Sequence, residues 1–160
     1  MNLKSTNGYS LWVKLTSGFL SKEEAKYTDK HGKKVKVPFS KILDVISNGT
    51  AKERDSAASS FNAILNKYSD VAEAELNAIL YDKKVNDDLR GYKRPDEARH
   101  VADDLDSEIV DVLIKAVSQE FKISKDYYKL KAKLLGLKKL KYHERNVSYG
   151  ELSGKYSYND

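Results

Sequence analysis

The chain has 160 residues, 40% hydrophobic and 33% charged, with a net charge of +5; this fits a globular fold and excludes disordered, fibrous and membrane-embedded classes. One domain, or part of one, is expected, and a compact chain of this length buries about 70% of its unfolded surface. No apolar run approaches the roughly 20 residues of a membrane span, and no basic leader with a small-residue cleavage site opens the sequence, so export is not expected. Cysteine is absent, which removes disulfides, thiol nucleophiles and thiolate metal sites and points to a reducing, cytoplasmic setting.

Leu11, Trp12, Leu15, Phe19 and Leu20 follow a helical stripe over residues 9–20. Ala25 to Thr28 and Lys34 to Val37 flank Asp29-Lys30-His31-Gly32. The second segment alternates apolar with charged residues and Gly32 can supply positive φ, so a hairpin is predicted at about 25–37. Pro38 stops its ladder, Ser40 is the expected N-cap of a short helix carrying Ile42, Leu43 and Ile46, and Asn48-Gly49 ends it. Thr50 and Glu53 have capping-box spacing, which starts a long helix with Ala57, Ala58, Phe61, Ile64, Leu65 and Tyr68 on one face. Ser69-Asp70 recaps a further helix to about Lys84, and residues 86–95 read as a loop.

Pro95 suits the first turn of a short helix through Glu97, Ala98 and Val101, and Asp104 or Asp106 caps the next. There Ile109, Val110, Leu113, Ile114, Val117 and Phe121 form a stripe expected to be buried. Ser124 is read as the cap of a last helix through Tyr127, Tyr128, Leu130, Leu134 and Leu135, closed by Gly136-Leu137 in Schellman form. The fold class is therefore mainly α, an irregular multi-helix stack with one small β-hairpin. Residues 1–146 form the helical segment and 147–160, rich in Tyr, Ser, Gly and Asn, a flexible tail.

Chemistry-bearing motifs are incomplete. Lysines 122, 125, 129, 131, 133, 138, 139 and 141 with Arg145 face only Asp126 and Glu144, interleaved with Tyr127, Tyr128 and Tyr142. Such a pattern permits nucleic-acid binding, but a solvated basic face bordered by packed tyrosines is the preferred reading. His143-Glu144 begins like a zinc-binding His-Glu-x-x-His helix, yet Val147 stands at the second ligand position. His100, with Glu97, Asp103 and Asp104 nearby, is read as a salt-bridged structural histidine, and His31 as a solvated turn residue. Asp87-Asp88 and Asp103-Asp104 are assigned to capping. Gly32-Lys33-Lys34 lacks the elements of a phosphate-binding loop, and no serine elbow is present. No catalytic, cofactor-binding or metal residue is assigned.

A resemblance is more specific than any of these fragments. Asn77 to Leu80, Asp82-Lys83, Leu89-Arg90-Gly91-Tyr92, Arg94-Pro95 and Glu97-Ala98-Arg99-His100 closely resemble the oligoendopeptidase F family of zinc metallopeptidases. Asp106 to Asp111 is similar. The strongest match runs from Tyr127-Tyr128-Lys129-Leu130 through Leu134-Leu135-Gly136-Leu137 and Lys139-Leu140 to Tyr142 and Glu144-Arg145-Asn146. Arg54 to Ala58 with Phe61-Asn62 resembles the family's preceding helix, and the hairpin and Ser40 to Leu43 resemble it more loosely, giving a span of about 9–146. Lys155 to Tyr158 loosely resembles the lead into the family's next helix.

The resemblance implies a mostly helical, cytosolic peptidase that cleaves short peptides with zinc-bound water. It also implies that the zinc ligands and general base lie downstream, in a His-Glu-x-x-His helix and a further glutamate, so none maps onto a residue of this sequence. The expectation is a truncated or split oligoendopeptidase F-like protein, inactive alone, with no cofactor in this chain and zinc in the full-length family. A separate catalytic domain or fragment is its expected partner, peptide its substrate in the full-length family, and neither membrane nor nucleic acid is expected. The alternative is a helical module that binds such a fragment or another partner.

Overall fold

The computed structural model describes residues 8–150. Its elements are α1 (Tyr9–Leu20), β1 (Glu24–Thr28), β2 (Lys34–Pro38), α2 (Phe39–Asn48), α3 (Ala51–Lys67), α4 (Ser69–Arg90), α5 (Glu97–Ala102), α6 (Ser107–Gln119) and α7 (Phe121–Leu134), followed by a 3-10 turn at Tyr142–Glu144. The fold is mainly α with one antiparallel hairpin, as the sequence predicts. None of its helices is long and apolar enough to cross a membrane.

The hairpin pairs Glu24 with Pro38 through to Thr28 with Lys34, and Gly32, at φ +82°, makes the turn that the sequence assigned to it. The outer edge of β1 would carry unpaired N–H groups, an aggregation template if left open. Helix α3 closes it with side chains spaced along one face. Ser60 Oγ accepts from Lys26 N at 3.0 Å, Ser56 Oγ from Thr28 N at 2.9 Å and Glu53 Oε1 from Lys30 N at 3.0 Å. Residues at i, i+3 and i+7 thus meet every second backbone N–H from β1 into the hairpin turn, and the small Ala57 lets helix and strand approach. Ala25, Ile42, Ala57 and Ile64 form the buried core, with Leu20, Tyr27, Val37, Phe39, Val45, Ile46, Phe61 and Tyr68 packed around it. Phe39 stacks on Phe61 with ring centroids 5.1 Å apart.

Several helix ends differ from expectation. Ser40 does not cap α2, because the extended Pro38 (ψ 145°) feeds directly into a helix that starts at Phe39, whose N–H is donated to Glu23 O. Gly49 ends α2 in an extended, not left-handed, conformation. Its requirement is space, since a Cβ there would lie 2.6 Å from Val45 O. The Thr50–Glu53 capping box is formed, with Thr50 N donating to Glu53 Oε2 at 2.8 Å.

Helix α4 continues to Arg90, so residues 86–90 are helix and not loop. Lys83–Asp87 and Lys84–Asp88 pairs, one turn apart, support the extra turns, and these acids therefore reinforce the helix interior and cap nothing. Gly91, at φ +74°, stops it, with Tyr92 N donating to Asp87 O. Asp106 occupies the N-cap position of α6, without a side-chain cap bond. Ser124 lies inside α7, which begins three residues earlier, directly after a break at Glu120 (φ −94°, ψ 6°). The Schellman ending holds, with Gly136 at φ +68° and Leu137 N donating to Ala132 O at 2.8 Å.

The largest departure concerns burial. Every residue from 111 to 130 is exposed, including Leu113, Ile114, Val117 and Phe121 of the apolar stripe expected to face a core, and only Val110 of that stripe is half-buried. Helical periodicity places Leu113 and Val117 on one face, but the core is built from α2, α3 and the hairpin, and nothing among the described residues covers α6. Of the predicted tail, Val147 is buried, and residues 151–160 lie outside the described residues.

Candidate functional site

Two features stand out: a polar cluster where the 3-10 turn meets α3, and the uncovered apolar faces of α6 and α7. Adjacent residues of α3, Arg54 and Asp55, supply one side of the cluster. The turn that follows Gly136 brings Lys141, His143 and Glu144 to the other. Glu144 is 2% exposed in its side chain and accepts from Lys141 N at 2.8 Å. Its second oxygen lies 3.8 Å from Arg54 Nη2. Arg54 also donates Nη1 to Gly49 O at 2.8 Å, whereas its buried Nε has no partner.

Asp55 accepts from Lys141 Nζ and lies 2.8 Å from His143 Nε2. Hydrogen bonds from Lys141 first and His143 second hold its carboxyl below the usual aspartate range, and Asp55 in turn raises Lys141.

Ligand atoms of Asp55, His143 and Glu144 lie within 4.8 Å of one another, a spacing compatible with a metal ion. The carboxylates are, however, already engaged within the protein. Both oxygens of each carboxylate already face protein partners, and the Lys141 ammonium and Arg54 guanidinium balance the two negative charges. Chemically, the cluster is a latch that fastens the carboxy-terminal turn onto α3. Sequence reasoning placed His143-Glu144 in a degenerate zinc motif. It missed Asp55, whose partners lie more than eighty residues away and leave no local pattern.

The other sequence candidates fall apart in space. His100 is buried, with Nδ1 2.8 Å from Ser107 Oγ and Nε2 3.7 Å from Asp96. It ties α5 to the start of α6, a structural role through partners other than the Glu97, Asp103 and Asp104 first considered. Arg94 reinforces the same junction by bridging Asp96 and Asp111. Asp103 closes α5 and pairs with Arg99, and Asp104 adopts φ +55°. His31 lies in the exposed hairpin turn. Lys122, Lys129 and Asp126 form pairs along α7.

On α6 and α7, Ile109, Leu113 and Ala116, then Ile123, Tyr127, Leu130 and Leu134, recur at alternating intervals of four and three residues, with Glu120 at the remaining position. That is the heptad spacing of helices that pair with helices. All of these residues are exposed. Between α7 and residues 146–150 lies an open groove of about 700 Å³, lined by Tyr127, Leu130 and Leu134 on one side and Val147 and Tyr149 on the other. Its lining is apolar apart from Lys131 and a few small polar groups, which suits an apolar side chain better than a reacting substrate.

Compared with family models, with curated proteins and with solved structures, the chain has no match. The oligoendopeptidase F reading therefore rests on the sequence motifs themselves.

Proposed function

We propose that these residues form the helical part of an oligoendopeptidase F-like protein, a family of zinc-dependent peptidases acting on short peptides, and that the chain is inactive alone. The zinc ligands and the general base would come from residues outside this sequence, as a continuation of the protein or as a separately encoded fragment. One observation carries the reading: every residue from 111 to 130 is exposed, so the apolar faces of α6 and α7 stand uncovered among the described residues. Such faces belong to an element built to be covered, as a domain core cut in two would be. The latch at Asp55 and Glu144 supports it too, because its carboxylates are spent on holding the fold. The reading carries a cytoplasmic setting with it, in keeping with a sequence free of cysteine.

The test is complementation. The chain is mixed with the zinc-binding part of an oligoendopeptidase F-like peptidase prepared without its own helical segment, and hydrolysis of a quenched peptide is followed. Activity that appears only in the mixture, and is lost with chelator, is the expected result. Unchanged inactivity, with no complex on size exclusion, would count against the reading.

A further inference from the structure

The two outer edges of the hairpin differ. Side chains of α3 close the edge of β1, where Lys26 N, Thr28 N and Lys30 N find acceptors. Because the N–H groups of Lys26 and Thr28 point away from β2, their cross-strand partners Lys36 and Lys34 form non-hydrogen-bonded pairs and turn their own N–H and C=O groups outward. The sheet ends there: it has two strands, and among the described residues no hydrogen bond reaches the outward main-chain groups of Lys34 and Lys36.

This edge is basic. Residues 24–38 carry five lysines against Glu24 and Asp29, and Asp29 is engaged by the turn, accepting from His31 N and Lys33 N. Strand alternation puts Lys34 and Lys36 on one face with Lys26, which lies directly opposite Lys36. Like charges so placed repel, and Glu24, 2.6 Å from Lys36 Nζ, is the one acid paired there among the described residues. Val35 and Val37 occupy the other face, half-buried.

We propose that the open edge of β2 binds a short, extended, acidic peptide as a third, antiparallel strand. This adds a peptide-holding site to the peptidase reading and is argued from the hairpin alone. Between the turn at Gly32 and Pro38, which has no N–H, the edge offers the donors and acceptors of Lys34 and Lys36, enough for about five residues, or roughly 17 Å of strand. In the antiparallel register the peptide residues opposite Lys36 and Lys34 exchange both main-chain hydrogen bonds with them and set their side chains beside the lysines. Acidic side chains fit there, and an apolar one fits between them, on the face of Val35 and Val37. Side chains thus select acid, apolar, acid, while the main chain supplies hydrogen bonds common to any peptide. The same lysines and Pro38 keep a second copy of the edge away, because like charges would then oppose one another. An acidic strand meets no such barrier.

The test uses the full chain and a fluorescein-labelled Thr-Glu-Val-Glu-Thr peptide, with binding read by fluorescence anisotropy at low ionic strength. This peptide should bind, and Thr-Lys-Val-Lys-Thr should not. N-methylation of both glutamates should weaken binding about tenfold or more, since each methyl removes a donor to the edge. N-methylation of the central valine, whose N–H points away, should leave binding nearly unchanged. These peptides carry the same charge, so attraction to a basic surface alone would not separate them. Charge exchange reads the direction. Lys34→Glu, at an exposed site, should weaken the acidic peptide by about threefold to tenfold. Thr-Glu-Val-Lys-Thr should restore binding to that variant and Thr-Lys-Val-Glu-Thr should not; recovery also shows that the variant is folded. No binding at millimolar chain, equal binding of the two N-methylated peptides, or recovery by the wrong exchange peptide would each overturn the proposal. Binding is measured without catalysis, so failed complementation leaves this site standing and failed binding leaves the peptidase reading standing.

Discussion

Replacing Glu144 by alanine should cost the chain about 3 kcal/mol of folding stability, toward the lower end of what breaking a buried ion pair costs. The carboxylate is 2% exposed, and its partner Arg54 is 12% exposed. Without it the guanidinium keeps only the Gly49 carbonyl, its Nε being unpaired already, and the Lys141 N–H loses its acceptor. The 3.8 Å separation from Arg54 is long, which sets the expectation at the lower end of the range. Glu144→Gln keeps an oxygen for Lys141 N and should cost about 1–2 kcal/mol. Arg54→Met in the Glu144→Ala background should recover part of the loss, because it removes the stranded charge. Urea unfolding followed by far-UV circular dichroism, at one fixed protein concentration, measures all three variants. An alanine variant within about 0.5 kcal/mol of the parent, the range of ordinary surface changes, would refute the latch.

Other expectations follow from single contacts. Gly49→Ala places a Cβ against the Val45 carbonyl and should lower stability by about 1–3 kcal/mol, as overpacking does; an unchanged urea midpoint would refute the steric account. Thr50→Ala removes the α3 cap and should cost about 1 kcal/mol by the same measurement. Asp55 titrates below its unfolded value because Lys141 and His143 donate to it. Its contribution is thus complete above the unfolded pKa of about 3.9 and lost as pH falls through the lower folded value. Asp55→Asn should flatten the acid limb of a stability-versus-pH curve below about pH 4, and an identical limb would refute the assignment.

Local chemistry made much of the fold legible. Gly32, the Thr50–Glu53 pair and Gly136 each mark a backbone requirement that neighbouring residues in sequence satisfy, and each lies where the sequence placed it. Ser40 and Ser124 misled because a serine in the first turn of a helix has the same composition signature as a cap; the strand leading into Phe39 and the break at Glu120 decided those starts. Residues 86–90 were misread because Asn and Asp resemble loop formers until their lysine partners four residues earlier are counted. The latch was invisible because Asp55 and His143 are brought together only by tertiary folding. Periodicity showed which residues of α6 share a face, but what covers that face is a property of the assembly. The heptad spacing that runs through α6 and α7 was in the sequence all along and was the usable signal.

The claim that this chain contributes helices and not a zinc centre is tested most directly by supplying zinc to the purified protein. Bound metal is measured after dialysis, alongside hydrolysis of a quenched short peptide. The account predicts no retained stoichiometric zinc and no cleavage. Cleavage abolished by a chelator, together with zinc lost on Asp55→Asn or His143→Ala substitution, would contradict it and make the latch a metal site.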